Sequence, residues 1–373
     1  LFLADAVVAV LDTSLVLFLN NHALGLPRQI VAALYMLVAV VIYVLMAFTR
    51  VISKRIFVPL TLFNFLAGLA FIPVLIYASA RVAQVAWLIS VLQLLVGIGV
   101  LTWLHPGLKL RMPPVSSNHL CARGFSWANL CLFLLANVFL LVPAVAVYLF
   151  LCASMAVGHF SEGFIALKPG GLTVQTRKYV RADGKTVQLV PMAHVAEADF
   201  YQNVSQSFPT NALILMEGVT DRNHLLTNKI TYTKMARTLG LSEQQQEFKP
   251  IETETMRADV DVEQFSTNTI GFLNLAMRIH SKGVTFETVL PLLHYSPPPD
   301  FEEQLWDDLL TKRNEHLVEE LKNRLADSDA IIIPWGAAHM PGISKEILKA
   351  GFRVEETKDY KVVRFGSRAR KGR

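Results

Sequence analysis

Acidic residues are almost missing from the first 155 positions of this 373-residue chain. Only Asp5 and Asp12 occur there, beside eight Lys/Arg, whereas the rest of the chain holds 28 Asp/Glu and 27 Lys/Arg. The overall formal charge of +5 therefore belongs to the first part. The second part is close to neutral and has no concentrated basic face, which excludes nucleic acid as a partner. Cysteine is equally scarce. Cys121, Cys131 and Cys152 all lie in or beside apolar segments, so the polar part can hold neither a disulfide framework nor a cysteine metal site. No small-residue cleavage site follows a short apolar core near the start, so a removable signal peptide is not expected, and further residues upstream of Leu1 are.

In place of charge the first part has apolar length. A membrane-spanning helix needs about 20 apolar residues, and Gln29–Phe48, Ile56–Ala80 and Val82–Leu104 each supply them, while Phe125–Met155 is longer and must tilt or extend past the bilayer. The opening run, Leu1–Leu19, carries Asp5 and Asp12, each costing roughly 2.5 to 3.5 kcal/mol at a helix centre. Seven residues apart, they share one helix face. A polar, protein-facing stripe is the simpler reading; a proton or ion relay is the functional one. Arg50, Lys54 and Arg55 cluster in one short loop, Arg81 stands alone in the next, and Lys109, Arg111 and Arg123 share the third. Positive-inside counting places the first and third loops in the cytoplasm and the polar part on the opposite side of a bacterial inner or plasma membrane. The expected organisation is a transmembrane domain of four to five helices over residues 1–158, then an extracytoplasmic α/β domain over residues 159–373.

Within the polar part, Leu172–Arg181 and Thr186–Val190 are β-rich and flank Asp183-Gly184, a hairpin turn signal. Three apolar runs then end in polar side chains: the run to Val190 precedes His194, Ala212–Met216 precedes Glu217, and Ile331–Ile333 precede His339 in "AIIIPWGAAH". Helical sequence follows each. Ligands of open α/β sheets bind at the carboxyl ends of parallel strands, so parallel pairing would bring the three together. Two imidazoles and a carboxylate can hold a first-row divalent metal with positions left for water or substrate. His224 is the alternative third donor. The segment Asp221–Pro291 reads as mostly helical, and Asp259 and Asp261 in "RADVDVEQFS" read first as turn and cap residues before its second helix and second as acidic site residues. After "YSPPPDF" a helix is expected over Phe301–Leu325, with Arg313 and Asn314 on it. The end, "RFGSRARKGR", reads as a disordered basic tail.

In this order "PMAH" (Pro191–His194), Glu217 with Arg222 five residues on, Arg313-Asn314, and "GAAH" (Gly336–His339) with Gly342 resemble the motifs of the TraB/Tiki family, within a superfamily that includes ChaN-like and erythromycin-esterase-like proteins. The resemblance covers roughly Val187–Val363. Pro191 departs from it, standing where the family has Gly, and removes a backbone N–H. The resemblance implies a mostly parallel α/β sheet with a helical insertion and, for Tiki members, metal-dependent proteolysis of extracellular substrates; TraB members are linked to shutting down peptide pheromone signalling.

The expectation is therefore a membrane-anchored metallopeptidase acting on extracytoplasmic peptides or proteins and using Mn, Co or Zn. His194, Glu217 and His339 would be ligands, or Glu217 the base; Arg222 and Arg313 would orient the carboxylate or steady an oxyanion, and Asn314 would hydrogen-bond to a ligand. The rivals are a non-catalytic peptide-binding regulator on the same fold, and a transporter or channel whose soluble domain regulates it.

Overall fold

The computed structural model describes residues 1–104, 124–227, 232–250, 253–283 and 285–366. The third basic loop (Lys109, Arg111, Arg123), Cys121 and the basic tail from residue 367 lie outside the described residues. The chain forms two compact units, Leu1–Ala156 and Val157–Arg373.

In the first unit, α1 (Phe2–Leu19), α2 (Gly25–Phe48), α3 (Lys54–Tyr77) and α4 (Val82–Leu104) are followed by α5 (Trp127–Ala136), which runs through a π-helical turn, Asn137–Leu141, into α6 (Val142–Phe160). By length and composition, five helical segments among the described residues can cross a membrane, the opening one included. Polar side chains in such a setting need partners on neighbouring helices, and these have them. Asp5 accepts from Gln93 Nε2 of α4 at 2.7 Å and Asn64 Nδ2 of α3 at 3.3 Å, and Asp12 pairs with Arg28 of α2 at 2.8 Å. Both carboxylates are buried in the unit. Asn129 of α5 donates to the carbonyls of Met46 and Ala47 near the end of α2.

The second unit is a mixed α/β domain. Its strands are β1 (Ile165–Lys168), β2 (Gly171–Val180), β3 (Thr186–Met192), β4 (Val195–Ala196), β5 (Leu213–Met216), β6 (Ser242–Glu243), β7 (Glu254–Arg257), β8 (Ala330–Gly336) and β9 (Arg353–Arg364). Its helices are α7 (Ala198–Ser205), α8 (Thr233–Leu239), α9 (Gln244–Glu247), α10 (Thr267–Lys282), α11 (Phe286–Leu293), α12 (Phe301–Trp306), α13 (Lys312–Arg324) and α14 (Met340–Lys349). The main sheet has the order β1-β2-β3-β8-β5-β7, with β9 also paired to β2. β1, β2, β3 and β9 pair antiparallel, whereas the neighbours β3, β8, β5 and β7 are all parallel. Between β2 and β3 the chain turns through Asp183-Gly184, with Gly184 in left-handed backbone at φ 86°.

The parallel half is apolar on both faces because helices cover both. Ile331, Ile333, Trp335, Leu213 and Leu215 pack with Leu317 and Leu321 of α13 and with Met340, Ile343 and Ile347 of α14. Ile332, Ile214 and Val190 pack on the other side with Phe200, Tyr201 and Val204 of α7. Each such buried side chain is worth about 1.5 to 3 kcal/mol of transfer free energy.

Three details differ from the sequence reading. The insertion expected to be mostly helical contains β7, which extends the parallel sheet beyond β5. Its residues, Glu-Thr-Met-Arg, are largely exposed and carry no apolar run to signal a strand. Pro191 lies not in a turn but inside β3, opposite Trp335 of β8 and two residues past Leu189, the last residue paired with β2. The helix expected over Phe301–Leu325 holds a π turn, Asp307–Thr311, between α12 and α13.

Candidate functional site

β3, β5, β7 and β8 are parallel, so their carboxyl ends share one edge of the sheet. Glu217 follows β5 directly. Its Oε2 accepts from the Gly336 backbone N–H at 2.5 Å, and its Oε1 accepts from Arg313 Nη2 at 2.8 Å. A Cβ on Gly336 would stand 3.3 Å from Glu217 Oε2. A side chain at the first residue of "GAAH" would crowd the carboxylate, which would have to give by a few tenths of an ångström.

His339 ends the turn after β8 and occupies the N-cap position of α14. Only 4% of it is exposed, and its ring meets Trp335 edge-on at 5.1 Å. Its Nδ1 faces Asn314 Oδ1 at 2.8 Å. Since that oxygen can only accept, Nδ1 carries the proton and Nε2 keeps its lone pair. Nε2 then looks across 3.6 Å at Glu217 Oε1. Burial first, and the Arg313 charge second, push the His339 pKa down to about 4, with Glu217 and Asp259 opposing. The imidazole is therefore neutral at physiological pH.

Arg313 and Asn314 are consecutive on α13, and the structure turns both into the site, one to Glu217 and the other to His339. Gly342 makes the room, since a Cβ there would stand 2.6 Å from Asn314 Nδ2. Arg313 is also gripped by Asp259, Nε to Oδ1 at 2.9 Å and Nη2 to Oδ2 at 2.7 Å. Burial works to lower the Arg313 pKa, but Asp259 and Glu217 outweigh it and raise it. The guanidinium also lies 5.5 Å from the Trp335 ring.

Asp259 is the residue that sequence reasoning misassigned. Asp261 does cap a short 3₁₀ turn, accepting from Glu263 N, and Ser266 caps α10. Asp259 instead has a fully buried carboxylate on Arg313 that also accepts from the Gly218 N–H at 2.8 Å. The signal was available: Asp259 follows β7 by two residues, in the way that His194 follows β3 and Glu217 follows β5. The site role was ranked second because β7 itself went unread.

The remaining proposed site residues lie apart from this cluster or at its edge. Arg222 is 82% exposed and, among the described residues, reaches Asp261 at 3.9 Å. His224 is exposed, in left-handed backbone at φ 53°. His194 is exposed two residues beyond Met192, the register partner of Gly336, and its ring stacks on Tyr232 at 4.7 Å and 12°. Tyr232, which the sequence did not flag, has its phenol pKa raised by burial and by the charge of Glu217.

Glu217 Oε1 and His339 Nε2 suit a divalent cation as donors, being an anionic oxygen and a neutral imidazole nitrogen, both with lone pairs facing one gap. The expected triad is another matter. Among the described residues, no group of three or more His, Cys, Asp or Glu side chains is arranged to hold a metal. His194 and His224 therefore complete no three-ligand set in this structure. Comparison with family models, curated proteins and solved structures finds no match to this chain.

Proposed function

We propose that the second unit is a divalent-cation-dependent hydrolase of peptide or protein substrates, with Glu217 and His339 as its two protein donors. The observation that carries this reading is the 3.6 Å gap between Glu217 Oε1 and His339 Nε2, two lone-pair atoms that nothing among the described residues bridges. A divalent cation in such a site supplies Lewis acidity and lowers the pKa of bound water toward neutrality.

The chain's own residues prepare for that chemistry. Asn314 fixes the His339 tautomer, and burial keeps the ring neutral, which makes it a ready donor and a poor base. Gly336 and Arg313 hold the two Glu217 oxygens apart, so that only Oε1 faces His339. The Arg313 side chain, 13% exposed, is placed to steady negative charge developing on a substrate carbonyl. Peptides as substrates, and an extracytoplasmic location, rest on the TraB/Tiki resemblance and on the charge of the short loops. A reporter fused after Glu162 and active only in the cytoplasm would remove the second support.

The absence of a third donor among the described residues favours one other reading, a peptide-binding regulator without turnover. Full-length protein in nanodiscs, titrated with Mn²⁺, Co²⁺ and Zn²⁺ by calorimetry and assayed on a peptide panel, separates the two. The hydrolase should bind one ion per chain and cleave, with Glu217→Gln and His339→Ala each losing ion affinity. A wild-type protein that binds peptide but neither ion nor water-dependent chemistry would leave the regulator.

A further inference from the structure

We propose that Asp259 is the positioning residue of this site, holding Arg313 so that it presents a single N–H to Glu217. The inference deepens the hydrolase reading and rests on it for its chemical meaning, but its geometry stands independently. A guanidinium offers five N–H donors in a planar fork and pairs best with a carboxylate through two of them. Here Asp259 takes that two-pronged grip through Nε and Nη2, while Nη1 reaches no further than the Leu309 carbonyl at 3.4 Å. Glu217 receives one bond, from Nη2 to Oε1, and its Oε2 is left to the Gly336 N–H.

Asp259 is itself held in place. Oδ2 accepts from Gly218 N at 2.8 Å and Oδ1 from Val260 N at 2.9 Å, and its side chain has no exposure. The Gly218 bond ties it to the residue next to Glu217. Its charge also offsets that of Arg313, which would otherwise fall on Glu217 alone. Without it, the fork would turn to Glu217, take both oxygens, displace Gly336 and draw Oε1 away from His339.

The test is a cycle of Asp259→Asn, Arg313→Gln and the double variant in full-length protein, with two readouts. The first is hydrogen exchange at the Gly336 amide, which Asp259 does not touch and which needs no metal. Asp259→Asn should speed that exchange at least tenfold, and the double variant, with no misdirected fork, should bring it back to within about threefold of wild type. The second is Mn²⁺ affinity by calorimetry, expected to fall at least tenfold in Asp259→Asn and to recover in the double variant. If Asp259 only supports the fold, Asp259→Asn will lower thermal stability, the double variant will be no better, and the proposal fails. If wild type binds no Mn²⁺ yet the Gly336 cycle behaves as stated, the positioning role stands and the hydrolase reading falls.

Discussion

Acid should weaken the second unit through His339, and the size of the effect follows from its surroundings. Unfolded, the ring has an ordinary pKa near 6.5; folded, burial and Arg313 push it down to about 4. Between those values the unfolded chain binds more protons than the native one, so stability rises with pH there. The contribution is fully present above about pH 6.5 and is lost as pH falls toward 4. From pH 7 to pH 5 the loss is roughly 2 kcal/mol, a large share of the 5 to 15 kcal/mol typical of a domain. Urea unfolding of the full-length protein in nanodiscs, with a chelator present and the transition of the second unit followed by hydrogen exchange of β8, measures it. His339→Gln keeps an uncharged polar group at the site and should flatten that part of the pH slope while leaving the other titrating groups in place. Equal slopes for wild type and His339→Gln would refute the link between His339 burial and stability.

Gly342→Ala places a Cβ where Asn314 Nδ2 now lies, 2.6 Å away, so the amide must move off His339. The ring then loses its fixed tautomer, and Mn²⁺ affinity should drop about 10- to 100-fold, measured by calorimetry, as for other partners of metal-binding histidines. Arg222→Ala should leave Mn²⁺ affinity within about twofold and stability within about 0.5 kcal/mol, as expected of an exposed side chain paired, among the described residues, with Asp261.

The sequence showed well what depends on apolar runs. The helices long and apolar enough to cross a membrane read directly from length, and β3, β5 and β8 from short apolar stretches with turn signals beside them. The parallel pairing of the strands ending near His194, Glu217 and His339 was left by the residues as a condition, which the structure meets, whereas the α/β class followed from that pattern. β7 did not, because an exposed edge strand carries little hydrophobic signal, and Asp259 was misread with it. At the site, spacing identified residues near the sheet edge but could not give their directions. Arg222, five residues past Glu217, lies on an exposed loop, whereas Arg313, nearly a hundred residues away, reaches the carboxylate. Nor could spacing show that Arg313 and Asn314, neighbours on one helix, serve two different partners. Part of that arrangement lies in the π turn at Asp307–Thr311, whose extra residue changes the phase of the helix that follows.

The place of β8 in the sheet has a consequence for biosynthesis. Spatially it is central, between β3 and β5, but along the chain it follows both by more than a hundred residues. A ribosome therefore exposes β3 and β5 long before the strand that joins them exists, and each has an unpaired edge rich in Val, Leu and Ile. Nascent chains halted before Ala330 should collect on chaperones and resist refolding. Chains extended past His339 gain the strand that joins β3 to β5 and bring Gly336 and His339 to Glu217 in the same step, with β9 still to add at β2. The joining of β3 to β5 through β8 and the assembly of the site are one event, so a truncated form with a partial site should not accumulate.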